Sequence, residues 1–139
     1  TLSLHDALPI SLYKKENFVG ICAKHHPFAG KTVSLENVFK ENLVVREKGS
    51  GTRRLLEQAV ESRGFSLDSF KNCSSSSNFS VICELVALNN VITFAYEPIS
   101  RCREDMDVFN VEDMSITGEF NLVYINEQAA KSKIKLFFE

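Results

Sequence analysis

Apolar residues recur along the chain in two rhythms. Phe18-Val19-Gly20-Ile21-Cys22-Ala23 is a short unbroken apolar run suited to a buried strand. It stops at Lys24-His25-His26-Pro27, where the proline drives the preceding residue into an extended conformation. Val33–Phe39 is short and mixed and predicts one or two helical turns, and Leu43-Val44-Val45 predicts a second strand. Between Arg53 and Arg63, Leu55, Leu56, Ala59 and Val60 keep helical spacing while Glu57, Gln58 and Glu61 face water. Gly64 is placed to end that helix, because glycine takes the left-handed cap conformation without penalty.

A polar connection containing Cys73-Ser74-Ser75-Ser76-Ser77-Asn78 follows, and then a second helix with Val81, Ile82, Leu85 and Val86 on one face, ending near Asn89-Asn90. Val91–Tyr96, rich in β-branched and aromatic residues, predicts a third strand. Phe120–Ile125 predicts a fourth, and Glu127–Phe138 a closing helix. Strands alternating with helices point to an α/β layer structure with a largely parallel sheet.

Composition narrows the function classes. The chain has 139 residues, room for one domain with a real core, and 44% of them are hydrophobic. A formal net charge of −2 provides no basic field for gripping DNA or an acidic membrane. The four cysteines, Cys22, Cys73, Cys83 and Cys102, form no CxxC pair and have no histidine cluster beside them. Free thiols in a reducing compartment are therefore expected, with no bound metal. Neither a membrane-length apolar stretch nor a signal peptide is visible.

Residues 1–10, TLSLHDALPI, do not read like the remainder and resemble the translation of a sequencing adapter. They are expected to be a non-native leader, so His5 and Asp6 carry no catalytic weight.

Two junctions could hold a ligand. The first is Leu43–Arg53, a strand running through Gly49-Ser50-Gly51-Thr52 into a helix. A helix start presents unpaired N–H groups and partial positive charge, which attract carboxylates and phosphates. Gly49 and Gly51 allow close backbone approach, and Ser50 and Thr52 add hydroxyls, although the same residues also make a good turn and cap. The spacing fits neither a P-loop nor a dinucleotide fingerprint. The second junction is Ser75-Ser76-Ser77-Asn78 before the Val81 helix. Ligands gather at the carboxyl ends of parallel strands, so the two junctions reinforce each other. Catalytic readings are weaker. No G-x-S-x-G elbow surrounds Ser50 or Ser77, His25-His26 reads as a surface turn, and Glu104-Asp105-Asp107 reads as a solvated acidic face.

The succession FVGICAKHHPFAG, LVVREKGSGTRRLLEQAVESRGF, SSSSNFSVICELVALNNVITFAY and FNLVYI resembles the C-terminal effector-binding domain of LysR-type transcription regulators, from about Asn17 to Glu139. That family commonly has a glycine where Val91 stands and a proline near Tyr96. The resemblance implies a type II periplasmic-binding-protein-like α/β fold, here mainly the second lobe with two crossover strands. On that mapping, residues 11–24 end the first lobe and form the outward crossover, with Phe18–Ala23 as its strand. Residues 25–119 form the second lobe, and 120–139 supply the return crossover and the C-terminal helix of the first lobe.

The resemblance further implies an effector-binding set of Ser50, Gly51, Thr52, Ser76, Ser77 and Asn78 facing an interlobe cleft, with no catalytic residues, metal or cofactor. The expected ligand is a small, anionic metabolite. The expected context is a cytoplasmic bacterial regulator that forms homodimers or homotetramers and touches DNA only through a winged helix-turn-helix upstream. The alternative is an extracytoplasmic solute-binding protein of the same fold.

Overall fold

Strand β1 (Ile10–Ala23) is the spine of the molecule. The computed structural model describes residues 10–89, 91–101 and 103–124. β1 pairs antiparallel with β7 (Ile116–Tyr124) from Ile10 opposite Tyr124 to Phe18 opposite Ile116. Its Phe18–Ile21 stretch pairs antiparallel with β5 (Thr93–Tyr96), and its Gly20–Ala23 stretch pairs antiparallel with β6 (Met106–Val111). β2 (Thr32–Val33) lies parallel to β6.

Parallel pairing governs the other side. β3 (Asn42–Arg46) and β4 (Asn72–Ser76) run in parallel register from Asn42 opposite Asn72 to Arg46 opposite Ser76. A parallel bridge between Leu43 and Ile92 joins β3 to the segment entering β5, through the N–H groups of Val44 and Ile92, each 2.9 Å from its acceptor. The sheet is thus mixed, not largely parallel as the alternation of elements implied. Alternation was a poor guide for β1, which pairs antiparallel with every strand it touches.

Among the described residues four α-helices fill the connections: α1 (Leu35–Val38), α2 (Gly51–Glu61), α3 (Phe79–Asn89) and α4 (Glu97–Ser100). Leu56 and Val60 of α2, and Ile82, Cys83 and Val86 of α3, are buried against Leu43, Val44, Val45 and Ile92 in one contiguous core. α2 ends as its sequence predicts: Gly64 has φ +87°, the N–H of Phe65 donates to the Val60 carbonyl (2.9 Å), and that of Gly64 to the Glu61 carbonyl (2.9 Å).

Several elements depart from the sequence reading. The serine run is a strand: Asn72–Ser76 forms β4, almost wholly exposed and held by the backbone of β3 and an Asn72–Asn42 side-chain bond of 2.8 Å. Met106–Val111 is also a strand, although Glu104 and Asp105 beside it are exposed as expected; Met106, Phe109 and Val111 turn inward. Val33–Phe39 divides into the end of β2 and the short helix α1, whose first turn Ser34 caps by accepting the Asn37 N–H. Val81 does not join the buried face of α3 and is 44% exposed. The predicted strand at Phe120–Ile125 begins earlier, at Ile116, and its last residue lies outside the described residues. The predicted helix Glu127–Phe138 also lies outside them, as do residues 1–9 of the expected leader; Ile10 opens β1.

His26 lies in the turn after β1 but not on the surface. It is buried, its Nδ1 accepts the Phe28 N–H (3.0 Å), and its Nε2 lies 2.7 Å from Glu41 Oε1. His25 is exposed as expected. Cys22 and Cys73 are free thiols, the first buried and the second exposed, and Cys83 is buried. Among the described residues no helix is long and apolar enough to cross a membrane.

Candidate functional site

Because Arg46 lies opposite Ser76, the two loops that leave β3 and β4 emerge side by side at the carboxyl end of the parallel strands. Each leads within a few residues into a helix start, at Gly51 and at Phe79. The structure therefore brings both sequence-predicted groups, Ser50-Gly51-Thr52 and Ser76-Ser77-Asn78, to one edge. A third helix start joins them, because β5 runs directly into α4 at Tyr96–Glu97. The sequence signal for it was Pro98, a residue favoured in the first turn of a helix.

The two expected junctions differ in chemistry. At α2, Gly49 takes φ +94° to turn the chain, and Ser50 occupies the N-cap position. Its hydroxyl caps nothing; it lies 2.9 Å from the Thr52 hydroxyl. Among the described residues the first-turn amides of α2 consequently have no side-chain acceptor, and open space lies where a Cβ on Gly51 would stand. Such an end keeps its hydrogen-bonding capacity and positive potential for an external acceptor.

At α3 that capacity is already used. Asn78 Oδ1 accepts the N–H groups of Ser80 (2.9 Å) and Val81 (3.3 Å), and Ser76 Oγ accepts the Asn78 N–H (3.1 Å). Ser77 is exposed, and its hydroxyl has no protein partner among the described residues.

Arg53 belongs to the same junction and was not among the predicted residues. Its side chain is only 13% exposed; Nη1 donates to the Arg46 carbonyl at the end of β3 (3.1 Å), and Nε faces Glu57 at 3.5 Å. It ties helix to strand and fixes the width of the loop between them. Its position just inside a helix start, a few residues after a strand, was the available signal. Arg46 pairs with Glu47 at 3.1 Å. The edge therefore offers hydroxyls and uncapped amides to a small anion, with the guanidiniums of Arg46 and Arg53 nearby but each already facing a glutamate.

Comparison with known proteins shows the family and the fold. The LysR substrate binding domain model matches residues 6–139, and the chain belongs to that family. An uncharacterized HTH-type transcriptional regulator of Methanocaldococcus jannaschii is 27% identical over 129 residues, which cover 90% of this chain and 44% of that protein. This chain thus spans less than half the length of that relative. The regulatory domain of CcmR from Synechocystis PCC6803, solved with 2-PG, superposes with a TM-score of 0.58 at 15% identity, covering 94% of this chain and 66% of that one. The effector-binding domain of QuiR with shikimate gives 0.59 at 18% identity over 94% and 62%, and that of BenM with benzoate 0.60 at 10% over 93% and 64%. These likenesses establish the fold: an α/β domain of the type II periplasmic-binding-protein kind.

Proposed function

We propose that this chain is the effector-sensing part of a LysR-type transcription regulator and binds a small anionic metabolite at the edge formed by the β3–α2 and β4–α3 junctions. The observation that carries the reading is the uncapped start of α2, with Ser50 and Thr52 hydroxyls beside it and an open approach over Gly51. 2-PG, shikimate and benzoate, the ligands named for three structural neighbours, support an anionic ligand in this fold. Ser50, Gly51, Thr52 and Ser77 would contact the effector directly. Ser76 and Asn78 would shape the loop, since their polar atoms already serve the chain.

On this reading β1 and β7 are the two crossover strands, and residues 25–119 are the second lobe. The first lobe closes the other side of the cleft, and a winged helix-turn-helix upstream meets the DNA. An effector that bridges both lobes shifts the population of lobe orientations, and a cytoplasmic homodimer or homotetramer transmits the shift. The domain binds and performs no chemistry. Two measurements test this. Thermal melts of the chain with a panel of carboxylates and phosphates should show stabilisation by at least one anion. The coding sequence upstream of Ser11 should encode a helix-turn-helix; a signal peptide there would instead favour an extracytoplasmic solute-binding protein.

A further inference from the structure

The far end of α2 carries a cavity that the effector reading does not use. It has a volume of about 400 Å³ and lies where α1, the loop after α2 and the turn after β6 converge. α2 is 11 residues long, so at 1.5 Å per residue the cavity is about 16 Å of helix away from Gly51.

Its wall is apolar and its rim acidic. Leu35 is buried in the wall, and Phe39 and Phe65 meet edge to face at 4.9 Å. Phe39 is backed by Phe70 at 5.0 Å, while Phe65 stays 44% exposed. Glu36, Glu112 and Asp113 bring three carboxylates to the rim, against the single guanidinium of Arg63. Among the described residues none of the three carboxylates has an ion-pair partner. Arg63 forms no ion pair with any of them and donates Nη1 to the backbone carbonyl of Asp113 (3.1 Å), so its one positive charge faces three negative ones.

The acidic turn is held in place. The Glu112 N–H donates to the Val33 carbonyl at 2.7 Å, Arg63 grips the Asp113 carbonyl from the turn after α2, and Asp113 adopts φ +56°. A rim fixed in advance loses little conformational freedom on binding. Aromatic walls beside unpaired carboxylates complement a cation with an apolar body, since ring faces and carboxylates both attract positive charge.

We propose that this cavity is a second ligand site, distinct from the anion-binding edge, and takes a small organic monocation of the arylalkylammonium class. The ring stacks on Phe39 and Phe65, and the ammonium sits among Glu36, Glu112 and Asp113.

The test is an amide NMR titration of this chain with phenethylammonium, and with 3-phenylpropionate as an anion of similar body. Phenethylammonium should give saturable shifts confined to Leu35–Phe39, Arg63–Phe65 and Glu112–Asp113, with Kd on the order of 1 mM. Asp113→Asn, which tolerates the left-handed backbone, and Glu112→Gln should each weaken binding roughly three- to tenfold with the rest of the spectrum unchanged. Absence of saturable shifts up to about 10 mM would overturn the site. Equal binding of the anion, or wild-type affinity in both carboxamide variants, would overturn its cationic chemistry.

Discussion

Phe109 lies in the space that a side chain on Gly20 would fill. The two residues are register partners across β1 and β6, and the Phe109 ring, fully buried, covers the Gly20 Cα more closely than any Cβ would permit. Glycine in the middle of a strand is ordinarily a cost; here it lets the ring of Phe109 reach Phe28 and Phe94, at 5.2 and 5.7 Å. Gly20→Ala should therefore overpack the core and destabilise the domain by about 1–3 kcal/mol in urea unfolding. Adding Phe109→Leu should cost less in the alanine background than in the wild type. Strict additivity of the two changes would show that the ring and the glycine are not coupled.

The Gly20 relationship also shows where sequence reading reached its limit. The run Phe18–Ala23 was legible as a buried strand, because an unbroken apolar stretch has few other homes. That Gly20 serves a ring on another strand was not legible, since nothing local encodes the partner. The same holds for β4: Asn72–Ser76 has no apolar alternation and is a strand only because the backbone of β3 lies beside it. The site was legible to the extent that its chemistry is local. Ser50-Gly51-Thr52 announced a helix start, but that Asn78 spends its carboxamide on capping while Ser50 does not is decided by rotamers and neighbours.

Cys22 predicts a pH dependence. Burial, followed by the charges of Asp107 and Glu41, pushes its thiol up to about 12 from 9.0. A thiol that holds its proton more tightly in the folded state contributes stability that is fully present below about pH 9 and is lost as pH rises toward 12. Other groups titrate in that window, so the measurement is a difference. Urea midpoints of the wild type and of Cys22→Ala should converge or cross between pH 9 and pH 11, with the wild type losing more. A constant gap would remove Cys22 from the linkage. Iodoacetamide at pH 8 should likewise modify exposed Cys73 in the native chain, and Cys22 only after unfolding.

His26 and Glu41 form a directional pair. Because Nδ1 accepts the Phe28 N–H, the Nε2 atom carries the proton and donates it to Glu41. Glu41→Gln retains an oxygen acceptor and should cost less than about 1 kcal/mol, whereas Glu41→Ala leaves a buried N–H unpaired and should cost about 1–3 kcal/mol. Denaturation of both variants measures the difference, and ring nitrogen chemical shifts report the tautomer. Equal destabilisation by the two substitutions would mean that packing, not the hydrogen bond, holds this turn.

The unequal capping of the two helix starts yields the most direct test of the effector edge. Thr52→Ala removes a hydroxyl that is engaged with Ser50 and not with the helix, so stability should change by less than about 0.5 kcal/mol. Ser77→Ala removes an exposed hydroxyl and should be equally mild. In the full-length regulator each should weaken the effector response about five- to tenfold, the worth of one hydrogen bond, while DNA affinity stays nearly intact. Asn78→Ala should behave differently. It deprives Ser80 and Val81 of their acceptor and should cost about 1 kcal/mol of stability, with any loss of response following from the frayed helix. Thermal melts beside effector titrations separate the two kinds of residue. Unchanged titrations for both Thr52→Ala and Ser77→Ala would take these hydroxyls out of the site, and a mild Asn78→Ala would show that α3 does not depend on its cap.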